Sequence, residues 1–306
     1  MSRVDDFCIT TALRLAISPA TAHAVADGNI GLLLDGLPLR FHLHRFVTSA
    51  SAFGWTRAAA VVQAGGFEDT LGQLLLCEIG PVLQASIDAA PQQMHVDPQQ
   101  KHADHQHKHT FKIRILLSKD GALHIHHSGP DPLQPPIYPL TFSVNPFLHA
   151  AQSSQGSCKV AIAQAPIDAS LFTQHKTTNR SMYHAAYASL IHHPLPPTAA
   201  EVLLSNAHEQ VTEATLSTVY FPTGPGAAWV TPDLACGGNA GTTRAWALEQ
   251  GWCTEGEVRL SVARQMHGQT VWLSNAVRGF WPASICTVPG EWEAHLRAHE
   301  IQPINN

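Results

Sequence analysis

The chain has 306 residues, with 18 Lys and Arg against 23 Asp and Glu and a formal charge of −5. Binding to phosphate backbones or anionic lipid needs clustered cations, so this balance excludes a strongly basic nucleic-acid binder and a polybasic membrane patch. The hydrophobic fraction of 44% and mean hydropathy of −0.04 describe a soluble globular chain, long enough for roughly two domains at about 150 residues each. No uncharged apolar run reaches membrane-spanning length. Acidic Asp5 and Asp6 stand where a signal peptide would be apolar, and the six cysteines are scattered without a C-x-x-C pair. Both point to a reduced, cytoplasmic setting.

In chain order, Phe7 to Leu15 alternates as a strand, and Leu37 to Trp55 carries apolar residues at helical spacing, with His42 and Arg45 one turn apart. A second amphipathic helix starts at Phe67, and Gly80-Pro81 predicts an interruption. The polar, His-rich insertion over about 95–109 reads as a solvated loop. Two alternating runs then flank Asp120-Gly121, a hairpin signal. A Pro- and Gly-rich stretch suggests a linker over 129–157, between a smaller domain (1–128) and a larger one (158–306). The second half predicts a strand at Cys158–Ile167, a helix from Ser181, paired strands over Glu201–Phe221 and a helix from Thr242. Strands over Glu257–Val277 and a terminal helix near Glu291 follow. Strands and helices without strict alternation indicate an α+β (mixed α/β) fold.

Four features of the second half could carry chemistry. Lys176, just before a helix, is ordinarily a solvated charge; its functional version is a Schiff-base lysine, whose neutral amine attacks a carbonyl. Glu213 lies in a strand-like run with few other charges. It is an exposed carboxylate or the buried partner of a protonated ring nitrogen. Gly241 with Thr242 and Thr243 opens a helix, which is an ordinary cap or a phosphate site. Leu273 to Ala283 ends a strand in Asn, Arg and Gly, a polar exit or simply a turn. None is specific alone; their order and spacing together are.

That order resembles the class IV aminotransferases, the fold type IV pyridoxal-phosphate proteins, and is most similar to the fungal-type 4-amino-4-deoxychorismate lyases. The resemblance implies a two-domain fold like that of the D-amino-acid aminotransferases, with pyridoxal phosphate in the cleft between the domains. It assigns Lys176 in "HKTTNR" to the cofactor carbonyl and Glu213 in "VTEATLSTVYF" to the pyridine nitrogen. It gives the phosphate to Thr242 and Thr243, to Ser274, Asn275 and Ala276 of "SNA", and to Arg45 of "FHLHRF". Arg278, and Arg114 on the hairpin, would meet substrate carboxylates. The K-x-x-N-R beat of Lys176, Asn179 and Arg180, with Ser181 where branched-chain enzymes carry tyrosine, and "NAVRGFWPA" favour the lyase. Thr218 departs from the usual Asn five residues after the glutamate, and Asn239 from an apolar residue.

The implied activity is release of pyruvate from aminodeoxychorismate to give 4-aminobenzoate for folate synthesis, by a homodimer acting on a small-molecule substrate. The alternative is a D-amino-acid or branched-chain aminotransferase. A third reading builds a metal module from His95, His102, His105, His107, His109, His124, His126 and His127. A loop without nearby Cys fixes no geometry, so no metal site is expected.

Overall fold

In a computed structural model the described residues are 7–17, 19–29, 31, 34, 37–88, 109–129, 145–149, 158–193, 195, 199–224 and 228–300. The insertion's His95, His102, His105 and His107 lie outside them, as does most of the proline-rich stretch. The chain divides into two compact units, Met1–Gln134 and Pro135–Asn306.

The first unit holds β1 (Ile9–Ile17), α1 (Pro19–Ala26), α2 (Leu39–Ala52), α3 (Thr56–Gln63), α4 (Phe67–Asp88), β2 (His109–Leu117) and β3 (Leu123–Ser128). Its three strands form an antiparallel sheet in the order β1-β2-β3. Alternation sends Leu13, Leu15, Phe111, Ile113 and Ile115 into the core, while Lys112 and Arg114 stay exposed. The predicted hairpin is present, closed by the Ser118 N–H donating to the Ala122 carbonyl at 3.0 Å. His109, His124, His126 and His127 thus sit on paired strands.

One expectation fails here. Gly80-Pro81 does not interrupt α4, which runs 22 residues with Pro81 inside it. A proline in a helix interior costs about 3 kcal/mol and deprives one carbonyl of its partner. Leu71, Leu75, Ile79 and Leu83 are fully buried along one stripe that straddles the exposed Pro81. At roughly 1.5–3 kcal/mol for each buried side chain, that stripe outweighs the break.

The second unit contains β4 (Lys159–Ile162), α5 (Leu171–Gln174), α6 (Ser181–Ala188), β5 (Ala200–Ser205), β6 (Val211–Ala214), β7 (Thr218–Pro222) and β8 (Trp229–Pro232). Then come α7 (Thr242–Glu249), β9 (Thr254–Gly256), α8 (Leu260–Gln265), β10 (Thr270–Asn275), β11 (Gly279–Cys286) and α9 (Pro289–Ala298). Eight strands form one mixed sheet in the order β6-β5-β4-β11-β10-β7-β8-β9. β4 runs parallel to β5 and to β11, whereas β10 runs antiparallel to β11 and β7. The fold is therefore mixed α/β. The pair of strands expected over Glu201–Phe221 is a set of three. The first part of Glu257–Val277, expected as strand, is helix α8. Leu260, Ala263 and Met266 are all buried, and a spacing of three residues puts them on one face of a helix.

Candidate active site

Lys176 is half-buried in the short link between α5 and α6. The Thr173 hydroxyl holds the start of that segment, accepting from the Ser170 N–H and donating to the Ser170 carbonyl, both at 2.9 Å. Arg180, four residues on, donates to the Thr215 carbonyl at 2.6 Å and stacks 4.2 Å over the Tyr183 ring. The link is thereby tied to the turn that follows β6.

Glu213 is carried by β6. The Tyr183 hydroxyl donates to its Oε1 at 2.6 Å and the Asn239 backbone N–H donates to the same oxygen at 3.1 Å. Among the described residues no hydrogen bond occupies Oε2. Burial pushes the carboxyl up to about 7; the Tyr183 hydrogen bond, the Arg180 charge, the Asn239 N–H and the Lys176 charge pull the other way. Burial and the adjoining carboxylate push the Tyr183 phenol up, so it stays a donor. Asn239, a departure from the family pattern, is accommodated: its backbone serves Glu213 and its side-chain amide donates to the Thr173 carbonyl at 3.4 Å.

The stretch before α7 lies hard against the sheet. A Cβ on Gly238 would come 2.6 Å from the Thr212 carbonyl oxygen, and one on Gly241 the same distance from Thr218 Oγ1. The backbone contact at Gly238 admits only glycine, and a side chain at Gly241 would have to displace the Thr218 hydroxyl. Thr218, the other departure, is thus packed beneath the turn. Gly241 caps α7 with no side-chain hydrogen bond, leaving the first-turn N–H groups of Thr242 and Thr243 available at the positive end of the helix dipole. The buried Arg244 secures this helix to the sheet through the Pro232 carbonyl at 2.8 Å and the Glu255 carboxylate. The Thr243 hydroxyl lies 2.8 Å from Ser274 Oγ, which lies 2.8 Å from the Tyr220 hydroxyl.

Asn275 closes the β10–β11 hairpin, the polar exit seen in the sequence. Its Oδ1 accepts from the Val277 and Arg278 N–H groups at 3.1 and 2.9 Å. Its amide donates across to the Leu216 carbonyl at 3.3 Å, and Ala276 sits at the hairpin tip. Arg278 lies 3.8 Å over the Trp281 ring; burial pulls its guanidinium down, and Cys158 and Glu201 oppose that.

Sequence reasoning missed Glu201, fully buried on β5. It accepts from the Ser217 hydroxyl at 2.6 Å, the Leu216 N–H at 2.9 Å and the Thr215 hydroxyl at 3.1 Å, which fastens the β6–β7 turn. A lone acid in the apolar run "AEVLLS" is the signal that could have found it. Tyr183 and Tyr220 had no such signal, because their roles depend on partners 30 and 54 residues away.

Two predicted residues belong to the first unit. Arg45 is buried on α2, where it donates to Thr11 Oγ1 at 3.4 Å, while Thr11 Oγ1 lies 2.7 Å from His42 Nδ1. Arg114 is exposed on β2 opposite Ala12 and His126. The second unit therefore brings Lys176, Glu213, Thr242, Thr243, Asn275, Ala276 and Arg278 onto one set of strand ends and links.

Comparison with known proteins places this arrangement. Residues 24–286 match the model of class IV amino-transferases. Over 193 residues, 55% of this chain and 50% of the other, the chain is 28% identical to the aminodeoxychorismate lyase of Saccharomyces cerevisiae. The match thus spans about half the length of that relative. Among solved structures, 4-amino-4-deoxychorismate lyase from Pseudomonas aeruginosa aligns with a TM-score of 0.51 and 17% identity, covering 95% of this chain and 90% of that one. A fold IV transaminase from Curtobacterium pusillum aligns with a TM-score of 0.52 and 15% identity, covering 98% and 87%. The fold is shared equally by a lyase and a transaminase, and with the family model covering most of its length the chain belongs to the class IV aminotransferase family.

Proposed function

We propose that the protein is a pyridoxal-phosphate-dependent 4-amino-4-deoxychorismate lyase. The observation that carries this reading is Glu213, with one carboxylate oxygen held by Tyr183 and Asn239 and, among the described residues, no hydrogen bond on the other. It sits within electrostatic reach of Lys176. The donor set fits the cofactor: a half-buried amine for its carbonyl, an acceptor for its ring N–H, and helix N–H groups with hydroxyls for its phosphate. The yeast relative and the Lys176, Asn179, Arg180 beat favour lyase chemistry over transamination.

When bound, pyridoxal phosphate supplies an electron sink at the carbon bearing the substrate amine. Thr242, Thr243, Asn275 and Ala276, together with Arg45, would hold the phosphate, and Glu213 would keep a proton on the ring nitrogen. Lys176 would hold the carbonyl end of the cofactor and, as a neutral amine, would take the proton from the substrate carbon that bears nitrogen. The enolpyruvyl group leaves from the adjacent carbon as pyruvate after protonation, and the ring becomes aromatic. Arg278 and Arg114 pair with substrate carboxylates. The family resemblance adds a cytoplasmic homodimer to this proposal.

The test is release of 4-aminobenzoate from aminodeoxychorismate by the cofactor-loaded protein with no keto acid added. Release that disappears in Lys176→Ala, together with loss of borohydride-fixed cofactor, supports the lyase and its lysine. Turnover that appears only with a keto-acid acceptor transfers the assignment to a D-amino-acid or branched-chain aminotransferase.

A further inference from the structure

The three hydroxyls of Tyr220, Ser274 and Thr243 form a chain with 2.8 Å spacings. All three side chains are buried; Tyr220 is fully enclosed, with the Phe147 and Phe280 rings 5.0 and 5.8 Å from its own. Each hydroxyl has one proton, so the chain can run in either direction; Ser274 accepting from both neighbours would strand its own buried proton, which meets no other acceptor among the described residues. If Thr243 donates to Ser274 and Ser274 to Tyr220, the phenolic proton is left over. No acceptor meets it among the described residues, since Ser274 is the only hydrogen-bond partner of Tyr220 and the neighbouring Cys253 thiol makes no hydrogen bond with it. A buried polar proton left unmet in an aromatic setting carries a full desolvation penalty.

In the opposite direction Tyr220 donates to Ser274 and Ser274 donates to Thr243. The proton left over is then the Thr243 hydroxyl's, at the first turn of α7, beside N–H groups that also lack intrahelical acceptors. There the spare proton can be met by water or by an anion. Burial of the phenol therefore sets the direction before any ligand arrives.

We infer that Tyr220 and Ser274 are positioning residues that turn the Thr243 hydroxyl outward as a preorganised donor for a phosphate monoester. This inference rests on the cofactor reading above, which puts such a group at α7. A phosphate dianion offers only acceptors, so it matches a site whose hydroxyl has been committed to donation. A hydroxymethyl group in the same place matches it less well, because it brings a proton of its own. Ser274 donates its proton to Thr243 and Tyr220 donates its own to Ser274, so both act through the Thr243 hydroxyl.

The test compares pyridoxal phosphate with unphosphorylated pyridoxal, each titrated calorimetrically into the cofactor-free full chain. Tyr220→Phe keeps the ring that packs with Phe147 and Phe280 and removes only the terminal donor. It should weaken pyridoxal phosphate about tenfold, the scale of one charge-assisted hydrogen bond, and leave pyridoxal within twofold. Ser274→Ala should reproduce that selective loss, while Thr243→Ser, which preserves the hydroxyl, should not. Unchanged phosphate affinity in Tyr220→Phe would overturn the inference. So would an equal loss for both ligands, which marks general damage to the fold. Wild-type protein that binds pyridoxal phosphate selectively but releases no 4-aminobenzoate defeats the lyase reading and leaves the hydroxyl chain standing.

Discussion

Glu213 shows how much one residue depends on its immediate partners. A carboxyl raised to about 7 by burial would be half-protonated at neutral pH, and a protonated acid cannot hold a pyridinium. The Tyr183 hydroxyl and the Asn239 N–H both converge on Oε1 and favour the charged form, and no hydrogen bond among the described residues occupies Oε2. Glu213→Gln should therefore retain cofactor but lose turnover by about a hundredfold or more, read from steady-state rates, because a neutral amide no longer stabilises the ring proton. A second consequence is linkage. The folded-state pKa lies above the unfolded one, so the folded chain holds more protons between about 4.5 and 7. Stability from this group is present below that window and lost as pH rises through it, by at most roughly 1.4 kcal/mol per pH unit. Partial exposure of Glu213 makes the measured slope smaller. Followed by urea titration as pH rises across that range, cofactor-free wild type should lose stability relative to Glu213→Gln.

At the scale of elements, the β6–β7 turn is the junction of the site. Thr215, Leu216 and Ser217 are fastened from below by Glu201 and laterally by Arg180 and Asn275. Glu213 precedes this turn and Thr218, under the glycine stretch, follows it. Glu201→Ala removes an acceptor from three donors at once and leaves a void, so we expect a loss of about 2–4 kcal/mol in urea unfolding. Turnover should fall in the same variant even where it remains folded, because Glu213 and Thr218 share that support. The α4 helix gives the contrary lesson: a proline that reads as a stop is overridden when buried side chains line both sides of it.

For the whole molecule, Arg45 belongs to the first unit, and Thr242, Thr243, Asn275 and Ala276 to the second. Arg45 donates to the Thr11 hydroxyl, which is itself held by the His42 ring. If Arg45 serves the phosphate as the family resemblance implies, Arg45→Ala should weaken pyridoxal phosphate about tenfold relative to pyridoxal. Equal affinities for wild type and variant would remove Arg45 from the site. Neither solved neighbour separates lyase from transaminase at this scale, since both share the fold to the same degree. Their chemistry must differ in a few side chains rather than in architecture.

By itself, the sequence determined the elements whose signals are local: the alternating strands, the Asp120-Gly121 hairpin, the helices from Leu39, Ser181 and Thr242, and the mixed α/β class. It also marked Lys176 and Glu213, because the motifs around them are short and contiguous. Tertiary structure alone decided what those residues meet. Tyr183 reaches Glu213 from α6, the Asn239 N–H arrives from the stretch before α7, and Glu201 grips a turn through strand pairing. Tyr220 finds Ser274 because β7 lies beside β10. Periodicity is a property of neighbours along the chain, whereas these hydrogen bonds depend on strand order and register, which no local pattern encodes.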